Sequence, residues 1–117
     1  MPLLVDGNRF LVDQLANRIN EVVFGFDGTV ATTEDGGVGR PAFVAVPKVR
    51  IVDDHSIFVE ATLPLEQSFT LPLREICLQY KNPNDATDTT ALFRYTFQSV
   101  NKSEDNELRF STIIEVN

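Results

Sequence analysis

Few side chains in this sequence are suited to imidazole or thiol chemistry: one histidine, His55, and one cysteine, Cys77. His55 stands between Asp54 and Ser56, the three residue types of a hydrolytic triad. Neighbours on a tight turn point in different directions and cannot form the ordered relay a triad needs. His55 therefore reads as a turn histidine in solvent. Cys77 lies between Ile76 and Leu78 and reads as a buried, inert thiol. A single cysteine excludes an intrachain disulfide and a Cys-based zinc site, and a single histidine excludes metal sites built on two. Gly36-Gly37-Val38-Gly39 neither follows a strand directly nor opens a helix, so it is no phosphate cradle. Asp27, Glu34, Asp35, Asp53, Asp54, Asp85 and Asp88 are spread over several loops without EF-hand spacing and read as solvated acids, with a calcium site among them left open.

One stretch imitates a catalytic motif more closely. Val22-Val23-Phe24-Gly25-Phe26-Asp27-Gly28-Thr29 resembles the first motif of haloacid-dehalogenase-type phosphatases, an apolar strand followed by Asp-x-Asp-Gly-Thr. Aligned to it, Asp27 takes the acid/base position and Gly25 the nucleophile position. Glycine has no group to attack phosphorus. The chain is also about half the length of such a domain, and no alternating βα units follow. The expectation is that the protein is not an enzyme and has no cofactor.

The elements that must position these residues follow from patterning. The 117 residues fit one domain, 1–117, and 43% hydrophobic residues suffice for one core. Leu11, Leu15, Ile19 and Val22 recur at helical spacing, with Asp6 and Asn8 as candidate caps, and predict one N-terminal helix over about 8–21. Val22–Phe26 is short and strand-like. Residues 28–41 read as a long loop carrying Gly28, Gly36, Gly37 and Gly39. Residues 43–53, with Pro47 marking a bulge or an edge, pair with 56–63 as a hairpin around Asp53-Asp54-His55. Residues 73–80 form the next strand, and 81–90 a polar loop. Residues 91–100, with Phe93, Tyr95 and Phe97 on one face, and 107–116 predict a second hairpin. Such alternation specifies antiparallel sheets buried on one face. The fold class is mainly β, an antiparallel β-sandwich of about six strands with one helix. Seventeen acids against ten bases give a net charge of −7, which disfavours nucleic-acid partners. No stretch approaches the ~18 apolar residues of a spanning helix, and the helix's polar face lacks basic enrichment, so no membrane partner is expected.

The order of these pieces, with Val59-Glu60-Ala61 and Leu73-Arg74-Glu75-Ile76 followed by Leu78, resembles the N-terminal attachment domains of tailed-bacteriophage tail-collar and tail-fibre proteins. There the pattern is a helix, a short Gly-containing strand, a loop of Thr, Pro and Asp, then "V-x-V-E-A" and "(I/L)-R-E-(I/V)-G-L". The likeness covers residues 8 to about 80, and Cys77 stands where glycine is usual. It implies a structural virion component of the tail, baseplate or fibre-attachment region, assembled in the host cytoplasm, with other virion structural proteins and copies of itself as partners. It brings no active site; Arg74-Glu75 reads as an ion pair or hydrogen-bonding group where a loop enters a strand.

The alternative is a small carbohydrate- or ligand-binding β-sandwich using Tyr80 and Tyr95, although both fall on apolar faces and there is no Trp. The expected interface is the 28–41 loop, because long unstructured loops are usually functional or disordered. Val30, Val38 and Pro41 would be its apolar anchors, and Glu34, Asp35 and Arg40 its polar rim.

Overall fold

The computed structural model describes residues 2–116. Helix α1 spans Val5–Arg18. Seven strands follow: β1 Glu21–Gly25, β2 Pro41–Ala45, β3 Lys48–Ile51, β4 Ser56–Leu63, β5 Leu73–Lys81, β6 Thr89–Val100 and β7 Leu108–Glu115. They form two antiparallel sheets, one ordered β2-β1-β5-β6 and the other β3-β4-β7. The architecture is the expected β-sandwich with one helix.

The core lies between the sheets. On β4 the alternation is complete: Ile57, Val59, Ala61 and Leu63 are buried, and their neighbours are half-buried. Opposite them stand Val22, Phe24, Ile76 and Leu78, joined by the half-buried rings of Phe93, Tyr95 and Phe97. The Tyr95 ring meets Phe110 of β7 at 6.0 Å between centroids, bridging the two sheets. Burying each large aliphatic residue contributes about 1.5–3 kcal/mol.

Three expectations are corrected. The helix covers 5–18 instead of 8–21, because neither Asp6 nor Asn8 caps it. Asp6 lies inside the first turn, where its charge suits the helix N-terminus. Asn8 is only 4% exposed, and its amide donates to the Asp54 carbonyl at 2.5 Å, with His55 Nδ1 at 2.7 Å. The helix stops at Arg18 because Ile19 is extended and enters the core. Its buried face therefore runs through Asn8 and Val12, while Leu11 is exposed and Leu15 half-buried. The apolar stripe is rotated by the one polar residue the helix buries.

The 43–53 segment is two strands instead of one, which brings the expected count of about six to seven. Pro47 interrupts the run, and the chain passes from one sheet to the other between Ala45 and Lys48. Finally, β6 and β7 are not a hairpin. β6 pairs with β5, Ile76 opposite Tyr95, whereas β7 pairs with β4, Ile57 opposite Ile114. Their connection crosses between sheets, held by Lys102. This lysine is 1% exposed, and its ammonium donates to the carbonyls of Leu65 (3.4 Å), Gln67 (2.6 Å) and Ser103 (2.5 Å).

Candidate functional site

The most elaborate polar arrangement sits on the outer face of the four-stranded sheet, under the connection between β1 and β2. An irregularity in the pairing of β5 between Leu73 and Glu75 lets Leu73 enter the core together with Ile76 and sets Glu75 against this connection. Its side chain is completely buried. The carboxylate accepts four hydrogen bonds: from the amides of Asp27 (2.6 Å), Gly39 (2.8 Å) and Arg40 (3.1 Å), and from Arg94 Nε (3.1 Å). All three amides belong to the two ends of the loop. One side chain from β5 thus closes the loop's base.

Arg94, 7% exposed at its side chain, supplies the second half. Its guanidinium donates to the carbonyls of Thr29 (3.0 Å) and Asp27 (3.1 Å) and to the Asp35 carboxylate (2.9 Å). Burial opposes the Arg94 charge, but the hydrogen bonds to Asp35 and Glu75 outweigh it, and its pKa lies above the ordinary value. Asp35 caps a turn by accepting from the Thr32 amide, with help from Arg94, and Asp27 accepts from the Thr29 hydroxyl and amide. Those bonds hold both carboxyls below the usual carboxylate range. The loop and Arg94 enclose a shallow cleft of about 380 Å³ lined by Asp27, Thr29, Asp35 and the glycines 36, 37 and 39.

Glycine is required where the backbone crowds these carboxylates. A Cβ on Gly25 would sit 2.5 Å from Glu75 Oε2 and 2.7 Å from the Arg40 carbonyl oxygen. The glycine in the phosphatase-like nucleophile position is therefore there to admit Glu75. A Cβ on Gly39 would collide with the Asp27 side chain.

The loop residues expected at an interface divide accordingly. Asp35 is consumed by Arg94 and Thr32, Arg40 gives its amide to Glu75, and Pro41 begins β2 opposite Gly25. Val38 is half-buried. Val30, 75% exposed, and Glu34 face outward. The ion pair expected at Arg74-Glu75 is formed by Glu75 with Arg94 instead; Arg74 packs its stem on Gly28. The anchoring roles of Arg94, Asn8 and Lys102 escape a reading of the sequence, which marks Asn8 only as a candidate cap. Only Arg94 left a signal, as the one charge in a twelve-residue strand.

The remaining candidates carry no reactive geometry. Burial pushes the Cys77 thiol up to about 11. Asp54, beside His55, is bound by Arg9 at 2.9 Å. Tyr95 packs into the core, and Tyr80 lies under the Arg18 guanidinium at 5.3 Å. Among the described residues no three His, Cys, Asp or Glu side chains group as metal ligands, and no helix is long and apolar enough to cross a membrane. No family model, no curated protein and no solved structure matches the chain.

Proposed function

We propose that this protein is a structural component of a tailed-phage virion, in the tail, baseplate or fibre-attachment region, and that it acts through protein–protein contacts. The observation that carries the reading is the Glu75–Arg94 anchor. A buried ion pair is weak support for stability, since desolvation offsets most of its attraction. Here the pair does something else: it holds a surface loop in one shape. A loop fixed before binding loses less entropy on contact. Val30 and Glu34, at the outward side of that loop, are the contact residues. The virion assignment itself rests on the likeness of Val59-Glu60-Ala61 and Leu73-Arg74-Glu75-Ile76 to the attachment domains. The reading involves no catalysis, no cofactor, no nucleic acid and no membrane. Neither tyrosine offers a free ring, so no observation favours the carbohydrate-binding alternative.

Deleting Thr32–Gly37 is a poor test, because it removes Asp35 from Arg94. The double substitution Val30→Asp, Glu34→Lys leaves the anchor intact. It is expected to preserve the circular dichroism spectrum and melting point while cutting incorporation into purified particles at least about tenfold. Parental incorporation of the variant would remove the loop as the interface. Absence of the parent chain from particles would remove the virion role.

A further inference from the structure

The two sides of the sandwich differ. On one side the chain runs from β2 to β3 through Val46-Pro47, closing the edge with covalent chain. On the other, β6 and β7 each end a sheet with no further strand beside them, and the Tyr95–Phe110 contact shows that these edges lie together. Free edges are normally protected by charge, proline or brevity. β6 has twelve residues, about 37 Å at strand rise, with no Gly or Pro and one charge, and that charge is bound to the outer-face loop; its pairing with β5 is regular over Phe93–Thr96 and irregular on either side. Beside it the interior is open in two apolar clefts. One, of about 320 Å³, is lined by Phe24, Phe97, Val100, Leu108 and Phe110. The other, of about 490 Å³, is lined by Leu11, Leu15, Leu92 and Val116.

We infer that the free edge of β6 pairs antiparallel with β6 of a second copy of this chain, joining two four-stranded sheets across a twofold axis at Tyr95. Two observations select a second copy. The first is charge. In a chain of net charge −7, residues 89–103 contain no acid, so two copies meet here without opposing carboxylates. The second is the near-palindrome Phe93-Arg94-Tyr95-Thr96-Phe97. A twofold antiparallel register must keep inward residues opposite inward residues, so it centres on a residue and not between two. Centred on Tyr95, it sets Phe93 opposite Phe97 of the other copy and Tyr95 opposite its equivalent, so every ring faces a ring. Arg94 falls opposite Thr96, and the two arginines avoid each other. Aromatic cross-strand pairs of this kind are favourable. An edge face about 37 Å long and about 20 Å deep offers on the order of 740 Å² per partner, close to the ~800 Å² of a standard interface. The dimer stands whether or not the virion reading does.

Light scattering on the purified chain is expected to give twice the 13.1 kDa chain mass at micromolar concentration. Gln98→Lys with Ser99→Lys, both at exposed positions, should raise the dissociation constant by roughly 100-fold with an unchanged circular dichroism spectrum. The register has its own test: Tyr95 lies on the twofold axis, within the regular stretch of β6, so Y95C should form an interchain disulfide on mild oxidation. S99C should not, because Ser99 lies well off the axis. A monomer at every concentration, a larger ring, a dimer indifferent to the lysines, or cross-linking by S99C equal to that by Y95C would each overturn the inference.

Discussion

Replacing Glu75 by glutamine tests the loop anchor with little change in shape. Each carboxylate oxygen accepts two hydrogen bonds: Oε2 from Asp27 and Arg40, Oε1 from Gly39 and Arg94. A glutamine amide has one oxygen, so whichever way it is turned its NH₂ group meets two donors. Two donors then lose their acceptor in a site with no solvent access, at about 1–3 kcal/mol each. The remaining two bonds lose charge assistance. Because the loop can relax and admit water, the larger sums are not reached, and a net loss of about 3 kcal/mol is expected. With a urea dependence near 1.5 kcal/mol per molar for a domain of this size, the midpoint should fall by about 2 M. Native-state hydrogen exchange should show the Asp27, Gly39 and Arg40 amides losing protection before the strand amides do. A midpoint within about 0.5 M of the parent, with those three amides still protected, would refute the claim that Glu75 anchors the loop.

The other expectations can be checked on the same protein. Lys102→Ala removes the donor shared by Leu65, Gln67 and Ser103 and leaves a void beneath the sheet-to-sheet crossing, at a cost of about 2–4 kcal/mol in chemical denaturation. An exposed lysine would cost under about 0.5 kcal/mol. Asp27 and Asp35 titrate lower in the folded chain than in the unfolded one, so their contribution is present above the ordinary aspartate pKa and is lost as pH falls through the folded values. A pH series should therefore show stability falling below about pH 4, with less of that fall in Asp27→Asn. Cys77, buried and pushed up to about 11, should resist thiol reagents at pH 8 until denaturant is added; rapid labelling of the native chain would contradict its burial.

Strand positions and faces were legible because two-residue alternation reports which side of a strand is buried. Ile57, Val59, Ala61 and Leu63 show it without interruption. Alternation does not report which strand lies alongside. Phe93, Tyr95 and Phe97 face inward in either pairing, so sequence adjacency suggested β6 with β7 where the chain instead crosses between sheets. The helix was legible as a helix but turned wrongly, since a pattern of apolar residues gives no weight to Asn8, a polar residue buried to grip Asp54. The loop was located correctly, and its abundance of glycine suggested freedom. Two of those glycines, together with Gly25, are better understood from their neighbours: Gly39 yields to Asp27, and Gly28 to Arg74. The partners that fix the loop, Glu75 and Arg94, come from strands 35 or more residues later, beyond the reach of local patterning.

The strand order has a consequence for how the chain is made. β1 pairs with β5 and β4 with β7, so Val22 waits for Leu78 and Ser56 for Glu115. Emerging from the ribosome, the first seventy residues can form two local hairpins, β1 with β2 and β3 with β4, joined by Val46-Pro47 and by the contacts of Asn8 and Arg9 with Asp54, but no complete sheet. Each hairpin then has one edge bare and one face unburied, too little to persist in water. The four-stranded sheet assembles once β5 is released. The three-stranded sheet closes only when the last strand leaves the exit tunnel. Folding thus waits for β7, and the distant pairings place it in the slow range typical of β-sandwiches, from milliseconds to seconds. A chain ending before Leu108 would leave one edge of β4 bare at the centre of the smaller sheet. Synthesis stalled at that point would yield an aggregation-prone product.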